Sequence, residues 1–330
     1  MKKYITPKRL LGVTALLIFL LWIVSIFWSV EPDRFEPREL AQQQALEKNE
    51  KVVAGYTMTT SLIAVAEALL NKSGGYLSND VIPPSVMMDN MPSWEFGALE
   101  MTRDLALAMR KDFSRSQSQS VENAYLTKAQ PQFNNDSLSW ILPSAESKYQ
   151  EGIDNLYFYR TSLADVSLQQ GQFYARADNL RDWLKQMEKR LGSLSQRLSA
   201  SVGQDRIDTN LAGDAEASQS TPTAHKLVDK TSWWRLDNNF YEARGASWAL
   251  LHFLKAVEVD FADVLEKKNA KVSLQQIIRE LEATQESIWS PVILNGSGFG
   301  MLANHSLVMA NYISRANAAL IELSELLNQG

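Results

Sequence analysis

The sequence contains no cysteine and few of the residues that interrupt helices. It has 15 Gly and 10 Pro, about 8% of the chain where about 12% is average. The absence of cysteine excludes disulfide frameworks, thiolate zinc sites, iron–sulfur clusters and cysteine nucleophiles. The shortage of turn-forming residues indicates long helices, and a length of 330 residues suggests about two domains.

Histidine is also scarce, and no catalytic motif is present. His225, His252 and His305 are too scattered in the sequence for a metal or catalytic set. The chain has no HExxH, no GxSxG and no P-loop, and the glycine-rich stretch 295–300 lacks the lysine and preceding strand of a phosphate loop. We therefore expect no cofactor, no metal and no catalytic residues from the sequence, which discloses no reaction.

One long hydrophobic run stands out near the N-terminus. Residues 10–30 carry no charge, and as a helix they would be about 31 Å long, which matches the hydrocarbon core of a bilayer. Trp22 and Trp28 are typical of membrane interfaces. A cleaved signal peptide would have a shorter apolar region ending in small residues, and a buried core helix is the other alternative. The sequence predicts an uncleaved membrane anchor in contact with the lipid bilayer.

The charges beside this run predict its orientation. Four cations, Lys2, Lys3, Lys8 and Arg9, precede it, and acidic residues begin directly after it. Positive charge stays on the cytoplasmic side, so we expect a bacterial inner-membrane protein with a cytoplasmic N-terminus and a periplasmic body. Without those cations the chain has about 29 basic residues against 38 acidic ones, which argues against nucleic acid and against electrostatic docking on anionic lipid.

The remainder is predicted to be an all-α bundle. Apolar residues alternate at gaps of three and four over residues 58–69, 173–198 and 309–327, the spacing of one helix face. Such stripes pack against neighbouring helices of a bundle, and the alternative is a coiled-coil seam in a homo-oligomer. Residues 203–224 are polar and aperiodic, which favours a disordered insertion, and no stretch indicates a strand.

Six residues recur at a constant offset of 148. Asp89-Asn90, Gly97-Ala98 and Asp112-Phe113 match Asp237-Asn238, Gly245-Ala246 and Asp260-Phe261. The repeat predicts two related helical units. The predicted organisation is a cytoplasmic tip and anchor over residues 1–30, a connector over 31–51, unit one over 52–150 and unit two over 151–330.

The repeated acids and the nearby aromatic residues are the candidate functional residues. Asp89 and Asp237 stand where helix caps are expected, whereas Asp112 and Asp260 lie on apolar stripes and are either structural or functional with a raised pKa. The aromatic residues are candidates for a partner or ligand surface, with core packing as the alternative. They are Trp94, Trp233, Trp234, Phe240 and Tyr241.

The layout resembles a known family. A short basic N-terminus, one spanning helix, a helical body and the block D-N…W-E-x-G-A…D-F resemble an uncharacterised proteobacterial inner-membrane family, the domain-of-unknown-function 2333 family. The resemblance implies localisation but brings no activity.

Three functions follow as hypotheses. The leading one is a scaffold or accessory protein that binds an envelope protein through its periplasmic helical body. The second is a hydrolase of envelope glycan that uses the repeated carboxylates, which would need to lie roughly 5–10 Å apart in a cleft. The third is a module that binds a small apolar ligand in an aromatic-lined pocket between the units.

Overall fold

The computed structural model describes residues 7–116, 120–165, 171–207, 226–290 and 292–329. These residues form an all-helical body with one large core, as the composition predicts. The helices are α1 (Pro7–Trp28), α2 (Pro37–Lys48), α3 (Tyr56–Asn71), α4 (Asn90–Ala108), α5 (Ala124–Phe133), α6 (Ala145–Ala164), α7 (Ala177–Ser199), α8 (Leu236–Asp260), α9 (Ala262–Lys267), α10 (Lys271–Ala283) and α11 (His305–Asn328).

Helix α1 corresponds to the hydrophobic run and projects from the body. It is long and apolar enough to cross a membrane, and none of its residues is buried in the body. Its last residue, Trp28, contacts the loop after α3: a side chain added at Gly74, whose φ is +85°, would begin 2.7 Å from the Trp28 ring. Only glycine fits a positive φ in such close contact, so the end of α1 is seated on the body.

The three apolar stripes form the faces of α3, α7 and α11. Leu184, Leu191 and Leu198 of α7 are buried, as are Ile313 and Leu320 of α11. Helices α7 and α11 pack against each other along these stripes. The stripes are therefore buried between helices of the same chain. The alternative, in which they form a coiled-coil seam between two chains, is wrong. Helix α7 begins at residue 177 rather than near residue 173, because the segment before it is not helical and Tyr174 donates its N–H to the carbonyl of Phe113, in the turn that follows α4.

The repeated blocks form α4 and α8, which cross at the two repeated glycines. A Cβ atom on Gly97 would lie 2.0 Å from the Glu242 carbonyl oxygen, and one on Gly245 would lie 2.0 Å from the Trp94 carbonyl oxygen. Glu242 and Trp94 are themselves 148 residues apart. The two contacts are thus reciprocal, and the absence of a side chain lets the backbones approach closely.

Corresponding helices also follow the two blocks. Helix α4 continues into a π-helical turn, Met109–Phe113, and then α5, whereas α8 is followed by α9 and α10. An offset of 148 places α5 on α10 almost residue for residue. These bounds agree with two related units, which stay a prediction, although the expected boundary between residues 150 and 151 lies inside the continuous helix α6.

Two short strands lie at the borders of the polar segment. Strand β1 (Gln204–Ile207) pairs antiparallel with β2 (Lys226–Asp229), and Gln204 is opposite Asp229. The expectation of no strand is wrong here, because four residues are too few to show the alternation of a strand in the sequence. The rest of the predicted disordered insertion, residues 208–224, lies outside the described residues.

The predicted connector is docked rather than free. Residues 31–36 are extended along α8, and α2 occupies residues 37–48 with Pro37 in its first turn, where proline is tolerated. The Arg244 guanidinium pairs with Glu31 at 2.7 Å. The Phe35 ring stacks on His252 with centroids 3.9 Å apart, and the Phe35 N–H donates to His252 Nε2 at 3.1 Å.

The helices alternate in direction, so their connections meet at two ends. We call the α1-side end the one where α3, α5, α7 and α10 finish and α4, α6, α8 and α11 begin. Hydrogen bonds join its loops: Asn79 Nδ2 donates to the Ser139 carbonyl at 2.8 Å, and Asn295 Nδ2 donates to the Ser201 carbonyl at 3.2 Å. The contact of Trp28 with Gly74 places the exit of α1 at this end.

Candidate functional site

Asp260 holds the start of another helix. One carboxylate oxygen accepts the Met58 N–H at 2.7 Å, in the first turn of α3. Burial raises the pKa of this carboxyl to about 7, against the lowering effect of backbone hydrogen bonds from residues 55, 57 and 58. A carboxylate at a helix N-terminus satisfies orphan N–H groups and favours the helix dipole. The arrangement gives Asp260 a structural role.

Asp112 occupies the equivalent position but makes a different contact. It lies in the π-helical turn after α4, and its backbone carbonyl accepts a hydrogen bond from Asn179 of α7 at 3.0 Å. Partial burial raises the pKa of its carboxyl, and the negative charge of Asp182 adds to the effect. Each acid therefore lies beside the start of a helix that is distant in sequence: Asp260 beside α3, and Asp112 beside α7.

Asp89 and Asp237 both lie at the α1-side end of the bundle. Asp89 is the N-cap residue of α4 and Asp237 lies in the first turn of α8. Burial raises the pKa of Asp89, and the charge of Asp237 raises it further. The 23 residues from Asp89 to Asp112 correspond to roughly 35 Å along a helix, so the four acids lie at two ends of the bundle and do not share one cleft.

The predicted aromatic surface is divided between core and solvent. Trp94 is fully buried against Trp248, with ring centroids 5.2 Å apart, and Phe240 is also buried. Tyr241 is half-buried beside Phe240. Only Trp233 and Trp234, in a short 3-10 turn before α8, are exposed. Core packing thus explains Trp94 and Phe240, and the double tryptophan remains available as a surface.

An apolar pocket opens at the α1-side end between α8, α10 and α11. Its volume is about 530 Å³, within the range of small-molecule sites. Phe240, Trp289, Met309 and Tyr312 are among the apolar and aromatic residues that line it, and Trp289 is almost completely exposed. The pocket lies within the predicted unit two, not between the two units.

Two polar side chains in this pocket are already oriented. Arg244 binds Glu31 and donates to the backbone carbonyls of Thr284 and Glu286, each at 2.9 Å. His305 Nδ1 accepts the Leu294 N–H at 3.2 Å. The guanidinium, fixed by these partners, connects the pocket wall to the segment that leads to α1. The pocket can hold an apolar group, and Arg244 and His305 give it a polar edge.

A second groove, between α4 and α7, is charged. Arg190 pairs with Glu100 at 2.8 Å and with Asp104 at 2.7 Å, and Arg197 pairs with Glu242 at 2.6 Å. These charges satisfy one another, so the groove presents little unbalanced charge to a ligand. Among the described residues, no group of three His, Asp or Glu side chains is placed to hold a metal ion.

The sequence identifies neither pocket, because each is formed by separate segments. The lining of the apolar pocket comes from residues near 240, 285 and 308, and no short motif connects them. The nearest signal was the aromatic density around Phe240 and Tyr241, which points to the correct part of α8.

The comparisons with known proteins give a family and nothing finer. No curated protein matches the chain, and no solved structure does. A family profile described as an uncharacterised protein conserved in bacteria, DUF2333, matches residues 2–330. Since this match covers nearly the whole chain, the protein belongs to the DUF2333 family.

Proposed function

We propose that this protein is a single-pass inner-membrane protein whose periplasmic helical body binds another envelope protein, as a scaffold or accessory subunit. Helix α1 is the anchor, and the basic N-terminus before it faces the cytoplasm. The apolar character of α1 and the acidic charge of the body support this arrangement. The family membership supports a bacterial setting.

The apolar pocket is the single observation that carries the binding role. It is open to solvent, and its walls are apolar side chains that a partner would cover. A pocket that takes an apolar or aromatic anchor residue is the usual centre of a protein interface. Its occupant is therefore an apolar segment of an envelope protein, held beside Trp289 and Tyr312.

Photo-crosslinking in native membranes tests this role. A photoreactive amino acid in place of Val308, a half-exposed pocket residue, should crosslink one specific envelope protein. The same probe in place of Val272, which is exposed at the other end of the bundle, should not. Ser287→Trp, which adds a large ring at the pocket lining, should abolish the Val308 crosslink. Equal patterns from both probes, or a crosslink indifferent to Ser287→Trp, would contradict the proposal.

The orientation has a separate test. A reporter that is active only in the periplasm, fused after residue 330, should be active in cells. A matched fusion to a reporter that works only in the cytoplasm should be inactive. The reverse pattern would refute the periplasmic location while leaving the pocket to be judged by crosslinking.

A further inference from the structure

The α1-side end carries an unusual concentration of large exposed apolar side chains. Its four connections each contribute some: Ile82 and Met87 from the loop before α4, Ile141 from the loop before α6, Trp234 before α8 and Met301 before α11. All five are more than half exposed. Soluble surfaces scatter such residues singly, and a concentration of them marks an interaction site.

The opposite end provides the contrast. Val121 and Val272 are large apolar residues exposed there, and each follows a polar or charged neighbour. Among the residues that the structure describes, the apolar concentration is therefore a property of one end and not of loops in general.

The exit of α1 is the second observation, and it points to the occupant. Trp28, the last residue of α1, packs on the loop at Gly74, and Glu31 binds Arg244 beside the end of α10. The exposed apolar residues thus lie at the end of the bundle from which α1 departs, where a membrane-spanning helix would leave the bilayer. A surface next to the end of α1 faces the leaflet from which α1 emerges.

We propose that the α1-side end of the bundle inserts its exposed apolar side chains into the interfacial region of the leaflet from which α1 emerges. This inference rests on the proposed anchoring by α1. Tryptophan is favoured at that depth, because its ring is apolar and its N–H is polar. The loops also carry charges of both signs, among them Asp80, Asp136, Lys230 and Arg235, so the contact is apolar and does not require anionic lipid.

Single cysteines test the insertion cleanly, because the chain has none of its own. We place them by Ile141→Cys and Met301→Cys at the α1-side end, and by Val121→Cys and Val272→Cys at the other end. All four positions are exposed, so folding, checked by circular dichroism, is retained. Each full-length variant is labelled with a fluorophore and reconstituted, one copy per disc, into nanodiscs of zwitterionic lipid that contains a nitroxide quencher.

The expected result is at least twofold stronger nitroxide quenching, with weaker quenching by aqueous iodide, for the labels at residues 141 and 301. Equal quenching of all four labels in protein-containing discs would overturn the insertion while leaving the anchor intact. Failure of the chain to enter discs would overturn both. Quenching that appears only with anionic lipid would replace insertion by electrostatic docking. The labels at residues 141 and 301 could also be shielded from iodide in native membranes and yet not be quenched by nitroxide in discs. That result would assign this end to a protein partner and overturn the proposal.

Discussion

Helices α4 and α8 share the same repeated residues and cross at the same glycine, yet their equivalent outer faces differ. On α8, Trp248 and His252 pack against Phe35 of the connector. At the positions 148 residues earlier, α4 has Glu100 and Asp104, which pair with Arg190 at the edge of an open groove. One face is covered by the chain's own N-terminal segment, and the other is charged and only partly buried.

The difference separates residues that both helices need for their crossing from residues that differ because their surroundings differ. The crossing depends on residues that both helices retain, since backbone contact tolerates no side chain. The outer faces are free to differ because they contact different segments. A buried histidine suits the covered face: burial lowers the pKa of His252 to about 3, so the ring is neutral and its Nε2 can accept the Phe35 N–H.

The largest expected effect comes from the shared crossing. Gly97→Ala and Gly245→Ala should each lower the free energy of unfolding by about 3 kcal/mol, because the added methyl forces the backbones apart. Gly192→Ala on α7, where the nearest neighbour is 3.6 Å from the new Cβ, is the control and should be neutral or stabilising. Thermal unfolding of the full chain measures all three. Unequal losses at residues 97 and 245 would break the equivalence of the two helices.

The two outer faces should respond differently to loss of an arginine. Arg244→Gln leaves Glu31 unpaired and removes bonds to two backbone carbonyls in a nearly buried site, so we expect a loss of about 2 kcal/mol. Arg190→Gln, at a half-exposed pair, should cost about 0.5 kcal/mol. Chemical denaturation in detergent compares them, and similar losses would show that the connector is not held more firmly than the open groove.

The third comparison concerns pH and the two equivalent acids. Because the pKa of Asp260 is raised from 3.8 to about 7 in the folded state, its contribution to stability is present below pH 4 and is lost as pH rises through 7. Relative to the parent protein, Asp260→Asn should therefore gain stability steadily as pH rises from 4 to 8.

Asp112→Asn is the matched control for that measurement. Its pKa shift has the same direction, but the carboxyl is partly exposed, so we expect a smaller change of the same sign. The opposite pH dependence of His252, whose contribution is lost as pH falls from 6.5 towards 3, is common to both variants and cancels in the comparison. A flat difference between Asp260→Asn and the parent protein would contradict the buried carboxylate.

The sequence predicted the parts of the fold that repeat locally. Apolar residues spaced by three and four indicated α3, α7 and α11, and uncharged length indicated α1. The apolar stripe around Asp260 indicated burial but left its role open between structural and functional, and its carboxylate accepts the Met58 N–H. These features are visible because a helix brings residues together at fixed short separations.

Features formed across long separations could not be predicted in the same way. Phe35 meets His252 over 217 positions, and nothing in the spacing of either residue points to the other. The exposure of Trp234 and the burial of Trp94 depend on which helices cover them, although both read as aromatic residues beside a repeated block. The pocket likewise needs three distant segments to close around it.

The docked connector fixes how far the body can reach. A free linker of eight residues would let the body wander by about 16 Å around the end of α1. With Glu31 bound to Arg244 and Phe35 stacked on His252, the body cannot move over that distance. A rotation of α1 about its axis then turns the whole bundle with it. Any protein that bound the body would therefore meet it at a fixed height and orientation relative to α1, and not as a flexibly tethered domain.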